Sequence, residues 1–222
     1  GGARDLAVGF SIGNKGYIGT GWNGSDYLND FWEYDPATNA WTQKADFGGV
    51  ARRGAVGFSI GNKGYLGTGE NTTNGYIRYK DFWEYNPATN TWVQKADFGG
   101  NERSYAVGFS IGSKGYIGTG SDVNGLFRKD FWEYNPSTNN WTQKSDFGGD
   151  PITFAVGFSI GNKGYIGTGN SSVLSATRDF WEYDPATNGW KRKAHIPEWG
   201  IYAAVGFSIG SKGYIGTGEG PL

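Results

Sequence analysis

One phrase, AVGFSIGNKGYIGTG at residues 7–21, returns in near-copy from Ala55, Ala106, Ala155 and Ala204. A second, DFWEYDPATNAWTQKADF at residues 30–47, sits between successive copies and occurs four times. The two are locked in phase: Phe10, Phe58, Phe109, Phe158 and Phe207 mark the first, and Trp32, Trp83, Trp132 and Trp181 mark the second. A period of about 50 residues, rich in strand formers and punctuated by glycine, indicates a repeated sheet. The repeat overrides the two domains that 222 residues could otherwise hold and makes residues 1–222 one array. Its units fall near 1–49, 50–100, 101–149 and 150–199, with a half unit at 200–222.

Each unit reads as four short strands. In the second unit Val56, Phe58 and Ile60 alternate with Ala55, Gly57 and Ser59. One face is therefore bulky, and the other is bare enough for a neighbouring layer to approach. Gly61-Asn62-Lys63-Gly64 offers the positive-φ residues of a tight hairpin. Strand two is expected over residues 65–69, strand three over 81–85 and strand four from Trp92 to about Phe98. Asn86-Pro87-Ala88-Thr89-Asn90 supplies the turn between the last two, with both asparagines able to take a left-handed conformation. The core is aromatic, since the chain has 10 Trp, 14 Tyr and 14 Phe.

Four antiparallel strands per unit describe a propeller blade. Tyr34 to Trp41, with its copies ending at Trp92, Trp141 and Trp190, resembles the Tyr and Trp signature of kelch repeats. Gly19-Thr20-Gly21 and its copies stand where kelch repeats carry a glycine pair. The resemblance implies an all-β, kelch-type β-propeller of four-stranded antiparallel blades: four complete blades plus a two-stranded half blade. The abrupt ends suggest a piece cut from a longer array, and the absence of methionine suggests processing or excision.

The inventory of reactive groups is short. Kelch-type galactose oxidases hold copper with histidines, tyrosines and a cross-linked cysteine, whereas this chain has one histidine and no cysteine. His195 replaces the aspartate of the other units and reads as a solvated loop residue. Glu33, Glu84, Glu133 and Glu182 occupy equivalent positions, so repetition separates them too far for paired acid–base chemistry. Cross-strand pairing with Lys44, Lys95, Lys144 and Lys193 is expected instead. Asp30, Asp81, Asp130 and Asp179 read as scaffold bonded to local backbone. Asp122-Val123-Asn124-Gly125 lacks the further ligands of a calcium loop. No catalytic residue, metal or cofactor is expected. A formal charge of −1 disfavours nucleic acid, and no apolar run reaches the ~20 residues that span a bilayer.

What varies between units gathers in two connections. They run from strand two to three (residues 22–27, 70–79, 121–128 and 170–177) and from strand four to the next strand one (52–53, 102–105, 150–154 and 198–202). Antiparallel order brings both to one face. That face carries Trp22, Tyr27, Arg53, Tyr76, Tyr79, Arg103, Tyr105, Phe127, Phe154, Trp199 and Tyr202, residue types that dominate binding hot spots. The expectation is a non-enzymatic module that binds a protein or glycan through these loops. The alternatives are a kelch-type sugar mutarotase-like enzyme and a structural scaffold from an amplified or designed array. Self-association through the incomplete fifth blade is a further expectation, and an extracellular or cell-surface location is favoured.

Overall fold

The computed structural model describes residues 1–73, 75–173, 175–196 and 199–220, and contains no helix among them. Asn74, Leu174 and Glu198 of the variable connections lie outside the described residues. Four sheets have four antiparallel strands in chain order, and Val205–Ile209 pairs with Lys212–Gly216 in a separate two-stranded sheet that repeats strands one and two. The chain divides into two compact units, residues 1–104 and 105–222.

The second blade shows how sequence sets register. Ile60 pairs with Lys63, leaving Gly61-Asn62 as a two-residue loop in which only the glycine has positive φ (58°). A glycine at the first position suits the primed turns whose twist matches paired strands. Strand two therefore begins at Lys63, earlier than the glycine pattern implied, and Gly64 lies within it. Strand three is Phe82–Asn86, and strand four is the short Thr91–Gln94. In the turn between them only Asn90 is left-handed; Asn86 caps the turn instead, its Oδ1 accepting from Ala88 N at 3.1 Å.

Blades pack through the alternation of strand one. Val56, Phe58 and Ile60 are buried, and the glycine side receives the preceding blade. A Cβ on Gly57 would lie 3.0 Å from Phe10 Cδ1, and one on Gly64 would lie 2.6 Å from Phe10 Cε2. Unit two repeats this: a Cβ on Gly164 would lie 2.5 Å from Phe109 Cε2. Around that seam Phe31 packs edge-on against Tyr85 and Trp92, as Phe131 does against Tyr183 and Trp190. The Asn-x-Trp phrase also reaches back to the previous blade. Asn90 Oδ1 accepts from Ala45 N at 2.9 Å, and Trp92 Nε1 donates to the Ala45 carbonyl at 3.1 Å. Asn188 and Trp190 grip Ser145 in the same way.

The repeated glutamates are cross-strand partners, as expected. Lys44, Lys95, Lys144 and Lys193 lie 3.7, 3.4, 3.6 and 2.9 Å from Glu33, Glu84, Glu133 and Glu182. Each glutamate also accepts from a strand-two tyrosine: Tyr17, Tyr65, Tyr116 and Tyr165, at 2.6–2.9 Å.

Candidate functional site

In every complete blade the strand-two-to-three connection and the link into strand one emerge at the same end, because Val8 pairs with Gly19 and Gly19 with Phe31. The sequence read these segments as loops, yet the structure pins them together. Asp5 and Trp22 exchange backbone bonds of 2.9 and 3.0 Å, and Arg53 and Glu70 bonds of 3.0 and 2.9 Å. In unit two Ile152–Thr153 pairs with Asn170–Ser171, and Tyr202 pairs with Glu219. Two-residue ladders of this kind carry no hydrophobic period, so periodicity could not find them.

In unit one the pinning gathers Trp22, Tyr27 and Arg53. The Arg53 guanidinium stands 5.7 Å from the Trp22 ring and 5.7 Å from the Tyr27 ring, within cation–π range. Its Nε donates to Glu70 Oε1 at 3.3 Å. Glu70 is 2% exposed, and its Oε2 takes Arg78 Nε at 3.3 Å and Ser104 Oγ at 2.9 Å. Both carboxylate oxygens thus face donors. The Tyr27 hydroxyl meets Thr72 Oγ1 at 2.6 Å, tying the first blade's loop to the second's. The result is a planar cation between two rings, held from below by a buried carboxylate. Such an arrangement can bind and orient a ligand.

Of the other candidates in this unit, Tyr76 is 81% exposed and stands apart. Tyr79 covers the Arg52 guanidinium at 4.1 Å. Arg103 is 1% exposed; its Nε donates to the Asn101 carbonyl at 3.1 Å, and its guanidinium lies 4.7 Å from the Phe98 ring. It belongs to the interior beneath the loops.

Arg52 is the functional-looking residue that sequence reasoning passed over. It is wholly buried, and its two terminal nitrogens grip Asp81 at 2.5 and 2.8 Å while Nη1 also donates to the Thr68 carbonyl. Arg4 binds Asp30 the same way, at 2.5 and 2.7 Å. Arginine three residues before the repeat alanine recurs at 4, 52 and 103, and that period could have revealed it. The expectation that these aspartates bond local backbone is corrected here: their partners are arginine and a tryptophan, Trp32 or Trp83. The hydrogen bond from Arg4 holds the Asp30 carboxyl below the usual range, against the opposing effect of burial. In the fourth blade Ile152 replaces the arginine. Asp179 there faces Arg192 at 2.6 Å and His195 Nδ1 at 3.2 Å, so the histidine has a carboxylate neighbour.

In unit two the strongest grouping is aromatic. Tyr105 and Phe154 stack with ring centres 4.0 Å apart, and Tyr202 meets Phe154 edge-on at 6.5 Å. Both stacked residues hold left-handed backbone, φ 57° and 54°, at the position that is Gly54 in the second blade. Bulky side chains seldom accept that conformation. Their backbones are joined across the two blades, Phe154 N donating to the Tyr105 carbonyl at 3.2 Å. Elsewhere Phe127 bridges to Ser121, and Trp199 is 80% exposed, away from the stack. Asp122, 1% exposed, ion-pairs with Arg128 and accepts from Asn124 N and Leu126 N, closing its own loop. Among the described residues no cluster of three His, Cys, Asp or Glu side chains is placed to hold a metal ion.

The kelch motif matches residues 21–48, the connection and outer two strands of the first blade. A solved structure titled "Structure of YjhT" superposes with a TM-score of 0.81, over 92% of this chain and 69% of that one, at 21% identity. Solved chains that match number 271, so the fold is widely shared and does not by itself select an activity. A search of curated proteins finds no match. The fold is a kelch-repeat β-propeller, with four complete blades and a two-stranded extra sheet.

Proposed function

We propose that this propeller is a non-enzymatic binding module that engages a protein or a glycan through the pinned connections at one end of its blades. The observation that carries the reading is the Tyr105–Phe154 stack. The left-handed step belongs to the repeat, since Leu6 and Ala203 adopt it at the same position with φ 49° and 53°, but at Tyr105 and Phe154 it is used to set two large rings face to face. Arg53 between Trp22 and Tyr27 supports the same reading, because rigid rings and a pre-oriented guanidinium are efficient anchors. The occupied carboxylate of Glu70 argues for positioning over proton transfer.

The test uses the strain itself. Tyr105→Gly and Phe154→Gly relieve unfavourable backbone while removing the rings, so each variant is expected to keep its melting temperature within a few degrees. Binding to whichever glycan or protein a glycan array and a pull-down identify is expected to weaken by on the order of 1–3 kcal/mol per ring. Full binding by the double glycine variant would sink the proposal, as would turnover of a sugar by the wild-type chain.

A further inference from the structure

The seam that joins successive blades has two unlike halves, and each half occurs once without its mate. One half is the apolar row of strand one with the strand-two tyrosine. It is buried in Val56, Phe58 and Ile60 and in Val156 and Phe158, but open in the two-stranded sheet. There Phe207 is 48% and Ile209 64% exposed, against 6% for Phe158 and 7% for Ile60, and Val205 and Tyr214 are exposed beside them. The other half is the glycine face. In the first blade a Cβ on Gly16 would meet only Tyr34 Cβ, at 3.8 Å, and one on Gly9 only the Tyr17 carbonyl, at 3.7 Å. The equivalent Gly64, Gly164 and Gly213 each have a phenylalanine ring within 2.5–2.6 Å of that point. Trp41, whose counterparts Trp92 and Trp190 are covered and bonded to the preceding blade, is 52% exposed.

We infer that these two surfaces are complementary and that copies of this chain associate head to tail. The row Val205, Phe207 and Ile209 of one copy seats on the Gly9 and Gly16 face of the next. The occupant is argued from the molecule itself: the same phenylalanine-on-glycine seam is already built between blades in each unit, from the same residues in the same register. Phe207 would take the place at Gly16 that Phe10 takes at Gly64, and Tyr214 would meet Tyr34 as Tyr17 meets Tyr85, at 5.9 Å. Four large apolar side chains exposed side by side on one sheet are the kind of surface that marks an interaction site. Because the two halves differ, the contact is heterologous: it propagates, and terminates only by closing a ring. This surface is distinct from the loop-bearing end, so the inference stands apart from the proposed binding function.

The experiment is sedimentation velocity of the 222-residue chain across roughly 1–100 µM. The wild type is expected to shift with concentration to species larger than a dimer, or to a closed ring. Phe207→Asp removes the row, with Ile209→Asp as its replicate, and Gly16→Leu fills the open glycine face. Each is expected to stay monomeric across the range while melting like the dilute wild type. Mixing Phe207→Asp with Gly16→Leu leaves one intact seam per pair, so the mixture is expected to form heterodimers and nothing larger. A wild type that is monomeric throughout would overturn the inference. So would aspartate variants that assemble like the wild type, or a mixture that stays monomeric.

Discussion

Arg52 concentrates the residue-scale lesson. Its charge is fully buried, which is tolerable only because Asp81 meets it with two parallel bonds and the Val50 and Thr68 carbonyls accept further hydrogen bonds from it. The Phe47 and Tyr79 rings cover its faces at 4.9 and 4.1 Å. Removing it strands the Asp81 carboxylate and loosens the seat of Trp83. Arg52→Ala is expected to cost about 3 kcal/mol in urea unfolding. Arg52→Lys is expected to recover only part of this, because an ammonium cannot reproduce the fork. A lysine variant as stable as the wild type would show that charge alone matters. Arg53→Ala, next in sequence, is expected to cost less than Arg52→Ala, since its buried partner Glu70 keeps Arg78 and Ser104 as donors. The pair looks like one basic dipeptide in the sequence, and only the recurrence at 4 and 103 separates a structural arginine from a presented one.

At the scale of the strand, each complete blade carries the same tyrosine–glutamate–lysine cluster, running from strand two across strand three to the end of strand four. At Glu182 the bond from Lys193 is the chief cause that holds the carboxyl below its ordinary 4.5, with burial opposing and Tyr165 assisting. At Glu33 burial pushes the carboxyl up, and the bonds from Lys15 and Tyr17 outweigh it. A lowered folded value means that the stabilisation is present at neutral pH and is lost as pH falls from about 4.5 through the depressed values. The tyrosines run the other way. Burial first, then the bond to Glu182, pushes Tyr165 up to about 12, and burial with nearby Glu33 pushes Tyr85 to about 12. Their contribution is whole below pH 10 and is lost as pH rises towards 12. Urea midpoints measured against pH are therefore expected to fall at both extremes, with tyrosinate absorbance rising together with unfolding. Tyrosinate appearing well before unfolding would contradict the burial argument. The pairing of glutamate with lysine was legible because period-two alternation puts both on one face, where the lysine is the diagonal neighbour two residues past the one directly opposite. The tyrosine was not. It stands directly opposite the glutamate on strand two, but that pairing depends on a register across the variable connection that the sequence does not mark. The paired connections were equally hidden: Arg53 with Glu70 is a backbone register, set by tertiary approach and unmarked by composition.

For the molecule as a whole, the repeat made the blades legible, strand count and hairpins included, because identical phrases must meet identical surroundings. Its deviations were less so, since what replaces Arg at Ile152 or Gly at Tyr105 acquires meaning only against a three-dimensional neighbour. The seam gives the clearest test at this scale. Gly164→Ala would place a methyl 2.5 Å from Phe109, and is expected to cost about 1–3 kcal/mol by overpacking. Gly16→Ala, chemically the same change in the same phrase, has open space and is expected to be neutral for the melting temperature of the dilute chain. Equal destabilisation by both would mean that strand propensity, and not the approach of a neighbouring blade, keeps glycine there. The uniform seam also bears on inheritance. Slippage between near-identical repeats during replication adds or removes whole blades, and each new junction meets the phenylalanine and glycine it requires. The gene can therefore change length in steps that leave no mismatched surface, while the connections at the blade ends diverge one unit at a time.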